Sequence, residues 1–168
     1  MKKLLATAGA FAVLALTSTP ALAVSPATQA TATAKIFKPL TIASTQNLDF
    51  GTIVLAGATF SGESVSMDTS GVVTCGTTAG DLTCSGAPQP ATYHLAGTAN
   101  AVVTITSPGF NLTNGAATLP FAPSFPATVT LDSSGAADLS LGGTISTLSN
   151  STTDGVYTGD FQVTADYQ

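Results

Sequence analysis

Few residues of this chain are equipped for chemistry, and their spacing limits what they could do. Cys75 and Cys84 are its two cysteines, set in Val72-Val-Thr-Cys75 and Asp81-Leu-Thr-Cys84 with Gly76 and Gly80 between them. In an oxidising compartment that pattern reads as a disulfide closing a hairpin, contributing roughly 2.5 to 3 kcal/mol on the chain-entropy model. A metal or redox centre would call for CxxC spacing or a nearby histidine, and neither is present. His94 is the one histidine. Any histidine-assisted nucleophile must use it, yet in Thr92-Tyr-His-Leu95 the alternation sets it opposite Tyr93 and Leu95, facing solvent. No Gly-x-Ser-x-Gly elbow occurs. Asp68 and Asp132 sit in two versions of one recipe, Met67-Asp-Thr-Ser-Gly71 and Leu131-Asp-Ser-Ser-Gly135, where aspartate bonds forward to backbone and glycine takes positive φ. They read as turn formers rather than hydrolase carboxylates. Asp160 and Asp166 stand too far apart for one site, and no run has the alternating acids of a calcium loop. Tyr93, Tyr157 and Tyr167 could offer a sugar-binding face, although Tyr157 and Tyr167 share parity with Phe161 and read as packing residues. Two glycosylation sequons, at Asn111 and Asn150, are short signals of little weight. The reading is a protein that is not an enzyme, with no catalytic residue, cofactor or metal.

What must position these residues follows from composition. The 168 residues suit one domain and carry four lysines, no arginine and no tryptophan against nine acids, a formal balance of -5. A nucleic-acid surface needs clustered Lys/Arg, so nucleic acid is excluded as a partner. With 44% hydrophobic and 8% charged residues the chain is no disordered segment, and 29 Thr, 16 Ser, 27 Ala and 16 Gly do not make a helical bundle.

Residues 1–23 read as an export signal: a basic start at Lys2-Lys3, an apolar run from Leu4 to Leu16 too short to span a bilayer, and Ala21-Leu-Ala23 as a small-x-small cleavage site. The expected product is exported to the periplasm and beyond. After it the period is two nearly throughout, with turn residues every eight to fifteen positions, an all-β signal. Strands are expected at 34–43, 49–54, 62–67, 72–75, 81–84, 91–95, 101–106, 127–131, 137–141 and 155–167. Asn114-Gly115 and Gly142-Gly143 read as turns. Pro108, Pro120, Pro123 and Pro126 make 107–126 a poor central strand and an irregular connection or edge. The last segment is the clearest: Tyr157, Gly159, Phe161, Val163, Ala165 and Tyr167 alternate with Thr158, Asp160, Gln162, Thr164 and Asp166 up to Gln168. A weaker alternation sets Val24, Pro26, Ala30, Ala32, Ala34 and Ile36 on one parity, interrupted by Thr28. This uncharged stretch could lend a strand to its own sheet or to that of another copy.

Ala30-Thr-Ala-Thr-Ala-Lys-Ile-Phe-Lys-Pro-Leu-Thr-Ile42, followed by Leu48-Asp-Phe-Gly-Thr-Ile53, resembles the start of a proteobacterial domain-of-unknown-function family regarded as pilin-like. Leu141-Gly-Gly-Thr-Ile145 and Gly155-Val-Tyr-Thr-Gly-Asp-Phe-Gln-Val-Thr-Ala-Asp-Tyr-Gln168 are similar to its later motifs. The terminus, with tyrosine next to last, also resembles chaperone-usher pilins, the fimbrial major subunits. That resemblance implies an immunoglobulin-like Greek-key β-sandwich at 35–168, incomplete and completed by a donor strand. It implies residues 24–34 as an N-terminal extension whose Val24, Thr28, Ala30, Ala32 and Ala34 enter a neighbouring copy, and Phe161, Val163, Ala165 and Tyr167 as one edge of the acceptor groove. It further implies a periplasmic chaperone, an outer-membrane usher and a homopolymeric filament at the cell surface. The alternative is a self-complete secreted β-sandwich binding module that recognises a surface glycan.

Overall fold

A computed structural model describes residues 27–168 of the chain; the expected 1–23 leader and Val24 lie outside them. One unit ends at Lys35 and a second spans Ile36–Gln168. Residues 27–35 of the first are exposed and carry no regular secondary structure.

The second unit is all-β and antiparallel, and one long strand organises it. The first half of β11 (Ala136–Leu148) pairs with β6 (Ala91–Ala96), which pairs in turn with β1 (Thr41–Gln46). Against them lies a three-stranded sheet in which β7 (Val102–Thr106) is flanked by β10 (Thr128–Thr130) and β12 (Thr164–Tyr167). Alternate residues of both layers meet in a dry cluster of Leu95, Val103, Ile105, Leu131 and Leu139, with Val163, Ala165 and Tyr167 packed against it. This two-layer packing is a β-sandwich in its simplest form.

The second half of β11 changes neighbours. It pairs with β3 (Glu63–Met67) on one edge and β9 (Ala117–Ser124) on the other, with β4 (Val73–Cys75) outside β3 and β8 (Phe110–Asn114) outside β9. Gly142-Gly143, expected to be a turn, lies inside β11 at this changeover. A Cβ at Gly142 would stand 2.1 Å from the Met67 carbonyl oxygen and one at Gly143 2.2 Å from Phe121 Cζ. These glycines admit neighbours rather than reverse the chain, which is why periodicity alone misreads them. Here Val65, Leu119, Phe121, Ile145 and Leu148 form a second cluster. A separate two-stranded ribbon, β2 (Thr52–Leu55) with β5 (Leu82–Ser85), packs Ile53, Leu55 and Leu82 onto it.

Three further expectations are corrected. The first strand begins at Thr41, not residue 34, because Pro39 has no N–H to donate and restrains Lys38. Residues 36–40 are instead held at the far terminus: Phe37 stacks on Tyr167 with ring centroids 4.5 Å apart, and Tyr167 Oη accepts from Thr98 N–H at 2.7 Å and donates to the Lys38 carbonyl at 2.9 Å. The proline-rich 107–126 stretch is a hairpin, β8 and β9, closed over Gly115-Ala116 with Gly115 at φ +58°. Residues 161–167 alternate half-buried and exposed as expected, whereas of 155–160 only Tyr157 is half-buried and Gly159 is exposed, and only Thr164–Tyr167 is paired as a strand. Upstream, one bridge joins Thr158 to Thr113.

Both aspartate turns form. Asp68 Oδ1 accepts from Ser70 N–H, Ser70 Oγ and Val72 N–H at 2.9, 2.7 and 2.9 Å; Asp132 Oδ1 accepts from Ser134 N–H, Ser134 Oγ and Ala136 N–H at 2.8, 2.6 and 2.9 Å. The serine hydroxyls first, then the backbone donors, hold both carboxyls below their ordinary value of 3.8. Leu95 is fully buried and Val156 is 80% exposed. Leu95→Ala should therefore cost about 3 kcal/mol in urea unfolding, and Val156→Ala less than about 0.5 kcal/mol.

Candidate functional site

The feature that stands out is an apolar cleft of about 1070 Å³ between β2 and residues 153–161. Its interior is the second core cluster itself: Leu119, Phe121, Ile145 and Leu148, each buried, with Phe110 and Leu112 of β8. Four phenylalanines from distant positions converge in it. Phe110 stacks on Phe161 at 5.3 Å and tilts against Phe121 at 4.9 Å, while Phe50 meets Phe121 edge-on at 6.0 Å. Such offset and edge-on pairs stabilise beyond their buried area.

The two walls are separate pieces of backbone. β2 is hydrogen-bonded along one edge to β5 and has no strand on the other. Residues 153–161 are tied to β8 by the reciprocal Thr113 and Thr158 bonds at 2.8 and 3.0 Å, and by Asn114 Nδ2 donating to the Asp154 carbonyl at 2.9 Å. Gly159 lets this wall approach Phe110, since a Cβ would come within 2.7 Å of the ring. Among the described residues no backbone hydrogen bond joins β2 to 153–161; beyond both walls, Asn150 donates from N–H to the Phe60 carbonyl at 3.3 Å and from Nδ2 to the Ala58 carbonyl at 3.4 Å. Val54 and Val156, 48% and 80% exposed, stand on opposite walls.

One wall is fastened by two devices. A disulfide joins Cys75 of β4 to Cys84 of β5, their Cα atoms 5.8 Å apart. Glu63 of β3 is 4% exposed, and its carboxylate accepts the Thr77 N–H together with the Thr77 hydroxyl at 2.8 to 2.9 Å, pinning the β4–β5 connection. The Thr77 backbone donor, then the Thr77 and Thr78 hydroxyls, hold the Glu63 carboxyl at about 2 against an ordinary 4.5.

The residues singled out from the sequence divide. Phe161 lines the cleft, whereas Val163, Ala165 and Tyr167 pack on the other cluster. Thr28, Ala30, Ala32 and Ala34 are exposed, and Val24 lies outside the described residues. His94 is exposed, and its Nδ1 lies 2.8 Å from Asp138 Oδ1, a partner the alternation alone did not reveal. Tyr93 and Tyr157 line the cleft, where Tyr157 Oη donates to the Thr153 carbonyl at 2.9 Å; partial burial raises the Tyr93 hydroxyl above its ordinary 10.0. Phe110 and Phe121 were missed because prolines masked their hairpin. Among the described residues no three metal-ligating side chains cluster.

A family model for a domain of unknown function, DUF4402, matches residues 40–167. The chain belongs to the DUF4402 family. The DUF4402 match takes in all twelve strands and both cleft walls, while residues 27–35 lie ahead of it. No curated protein and no solved structure matches the chain.

Because folding depresses the Glu63 carboxyl, its contribution is complete above about pH 4.5 and is lost as pH falls towards 2, with Asp68 and Asp132 acting in the same direction below 3.8. The thermal midpoint should thus drop between pH 4.5 and 2, and Glu63→Gln should lower the midpoint at pH 7 while making that drop shallower.

Proposed function

We propose that this protein is a structural subunit of an extracellular filament, in which residues 24–34 of one copy occupy the cleft of the next. The observation that carries this reading is the cleft: an opening into the hydrophobic core, bordered by two strand-like walls that no backbone hydrogen bond joins along their length. An unpaired edge beside exposed apolar side chains is a template for an added strand. Inside a sandwich an extended residue takes up about 160 Å³, from about 3.3 Å of rise, 4.8 Å between strands and 10 Å between sheets. The cleft is therefore large enough for an extended segment of several residues. Thr28 to Ala34 is an uncharged stretch, exposed in its own chain.

The occupant's chemistry suits the site in a particular way. Alternate alanines bury little area, at about 25 cal/mol per Å², so main-chain hydrogen bonds to β2 and to 153–161 carry most of each junction. Because the donor and the cleft are different surfaces, each copy offers one and receives one, and the contact propagates without closing. Before assembly the open cleft needs a protective partner, the role of a periplasmic chaperone, and passage to the surface needs an outer-membrane usher.

Ala30→Asp combined with Ala32→Asp places two unpaired charges in the buried strand and should abolish filaments seen by electron microscopy, leaving the far-UV circular dichroism of the domain unchanged. Deleting residues 24–34 should do the same. Filaments of undiminished length and number from either variant would overturn the reading, and a monodisperse monomer that binds glycan would replace it with a surface binding module.

A further inference from the structure

The wall formed by β2 is weakly supported by backbone. It belongs to a two-stranded ribbon, an arrangement only marginally stable in water by itself, and its second edge faces the cleft. Ile53, Leu55 and Leu82 hold the ribbon by packing on one side alone. The remaining attachments run through β5 and the connection before it. Cys84 stands directly opposite Ile53 in the ribbon register, and its disulfide partner Cys75 stands opposite Val65 of β3. The covalent bond thus links β5, the ribbon partner of the cleft wall, to β4, the partner of the strand that pairs with β11. Glu63, two residues before Val65 on β3, holds Thr77 of the same connection. Both cysteines are half-buried.

We infer that the Cys75–Cys84 disulfide is a redox lock on the cleft. When it is closed the β2–β5 ribbon is a fixed wall; when it is open the ribbon detaches locally, and the β1-β6-β11 half stays folded. The step is a thiol–disulfide exchange: a dithiol reductant delivers two electrons and two protons, the bond between the Cys75 and Cys84 sulfurs breaks, each becomes a thiol, and the dithiol closes to its own disulfide. A disulfide oxidant drives the reverse, and the subunit acquires its receiving site only then. What the site receives rests on the filament reading; the lock itself does not.

Hydrogen exchange on the exported chain tests it, comparing the oxidised form with the dithiothreitol-reduced form and with a Cys75→Ala/Cys84→Ala variant. Amides of 52–55 and 82–85 should exchange about tenfold faster or more without the bond, while 91–96 and 136–141 keep their protection. Glu63→Gln with the disulfide intact should produce a smaller acceleration of the same amides. Unchanged exchange in the ribbon overturns the lock, as does acceleration spread evenly over all strands, which would mean global rather than local opening. In parallel, a labelled peptide of residues 27–35 is titrated by fluorescence anisotropy and should bind the reduced chain at least about tenfold more weakly than the oxidised one. An oxidised chain that ignores the peptide removes the filament reading, and the exchange data still decide the lock.

Discussion

A strand inside a sheet satisfies its backbone on both edges, and β2 does so on one. On its open side lie Phe50, Phe121 and Ile145, side chains that water hydrates poorly, and a wall at 153–161 whose backbone, among the described residues, is hydrogen-bonded to β8. What sets this edge apart is that it lies beside an apolar floor, in a chain otherwise rich in threonine and serine. On the filament proposal, this is where an added strand would bond to both walls and cover the floor at once.

Keeping such a cleft open requires that its walls not collapse onto each other. The glycines of the 153–161 wall and the ring of Phe110 set one side; the ribbon, the disulfide and the Glu63 carboxylate set the other. Glu63 shows why a charge survives in a nearly closed position: two donors from Thr77 replace the water it has lost. The other half of the molecule, around Leu95 and Val103, has both layers packed and asks for nothing further. One chain therefore combines a half whose two layers are fully packed with a half that carries the open cleft, joined through β11.

Much of this was legible beforehand. Alternation from Ala91 to Leu95 and, apart from Val102, from Ala101 to Thr106 marks strands with one face in the core, and the aspartate–glycine turns announce themselves through residues that act locally. Failures came where a distant neighbour decides. Gly142-Gly143 looks like a reversal until Met67 and Phe121 are seen pressing on it, and Pro120 and Pro123 look like breaks until β8 and β11 are found on either side. The alternation of 161–167 is correct as a facing pattern but silent on pairing, since a period of two states which side is buried and not whether an edge has a partner.

By itself the sequence determined the strand periodicity, the two aspartate turns, the absence of arginine and tryptophan, and the small uncharged stretch ahead of the domain, because each depends on residues close together in the chain. Tertiary structure alone decided that Phe50, Phe110, Phe121 and Phe161 share one cleft, that Glu63 finds Thr77, and that β2 is left with a free edge. Those are pairings between segments far apart in sequence, selected by which surfaces can pack together, and local pattern holds no information about them.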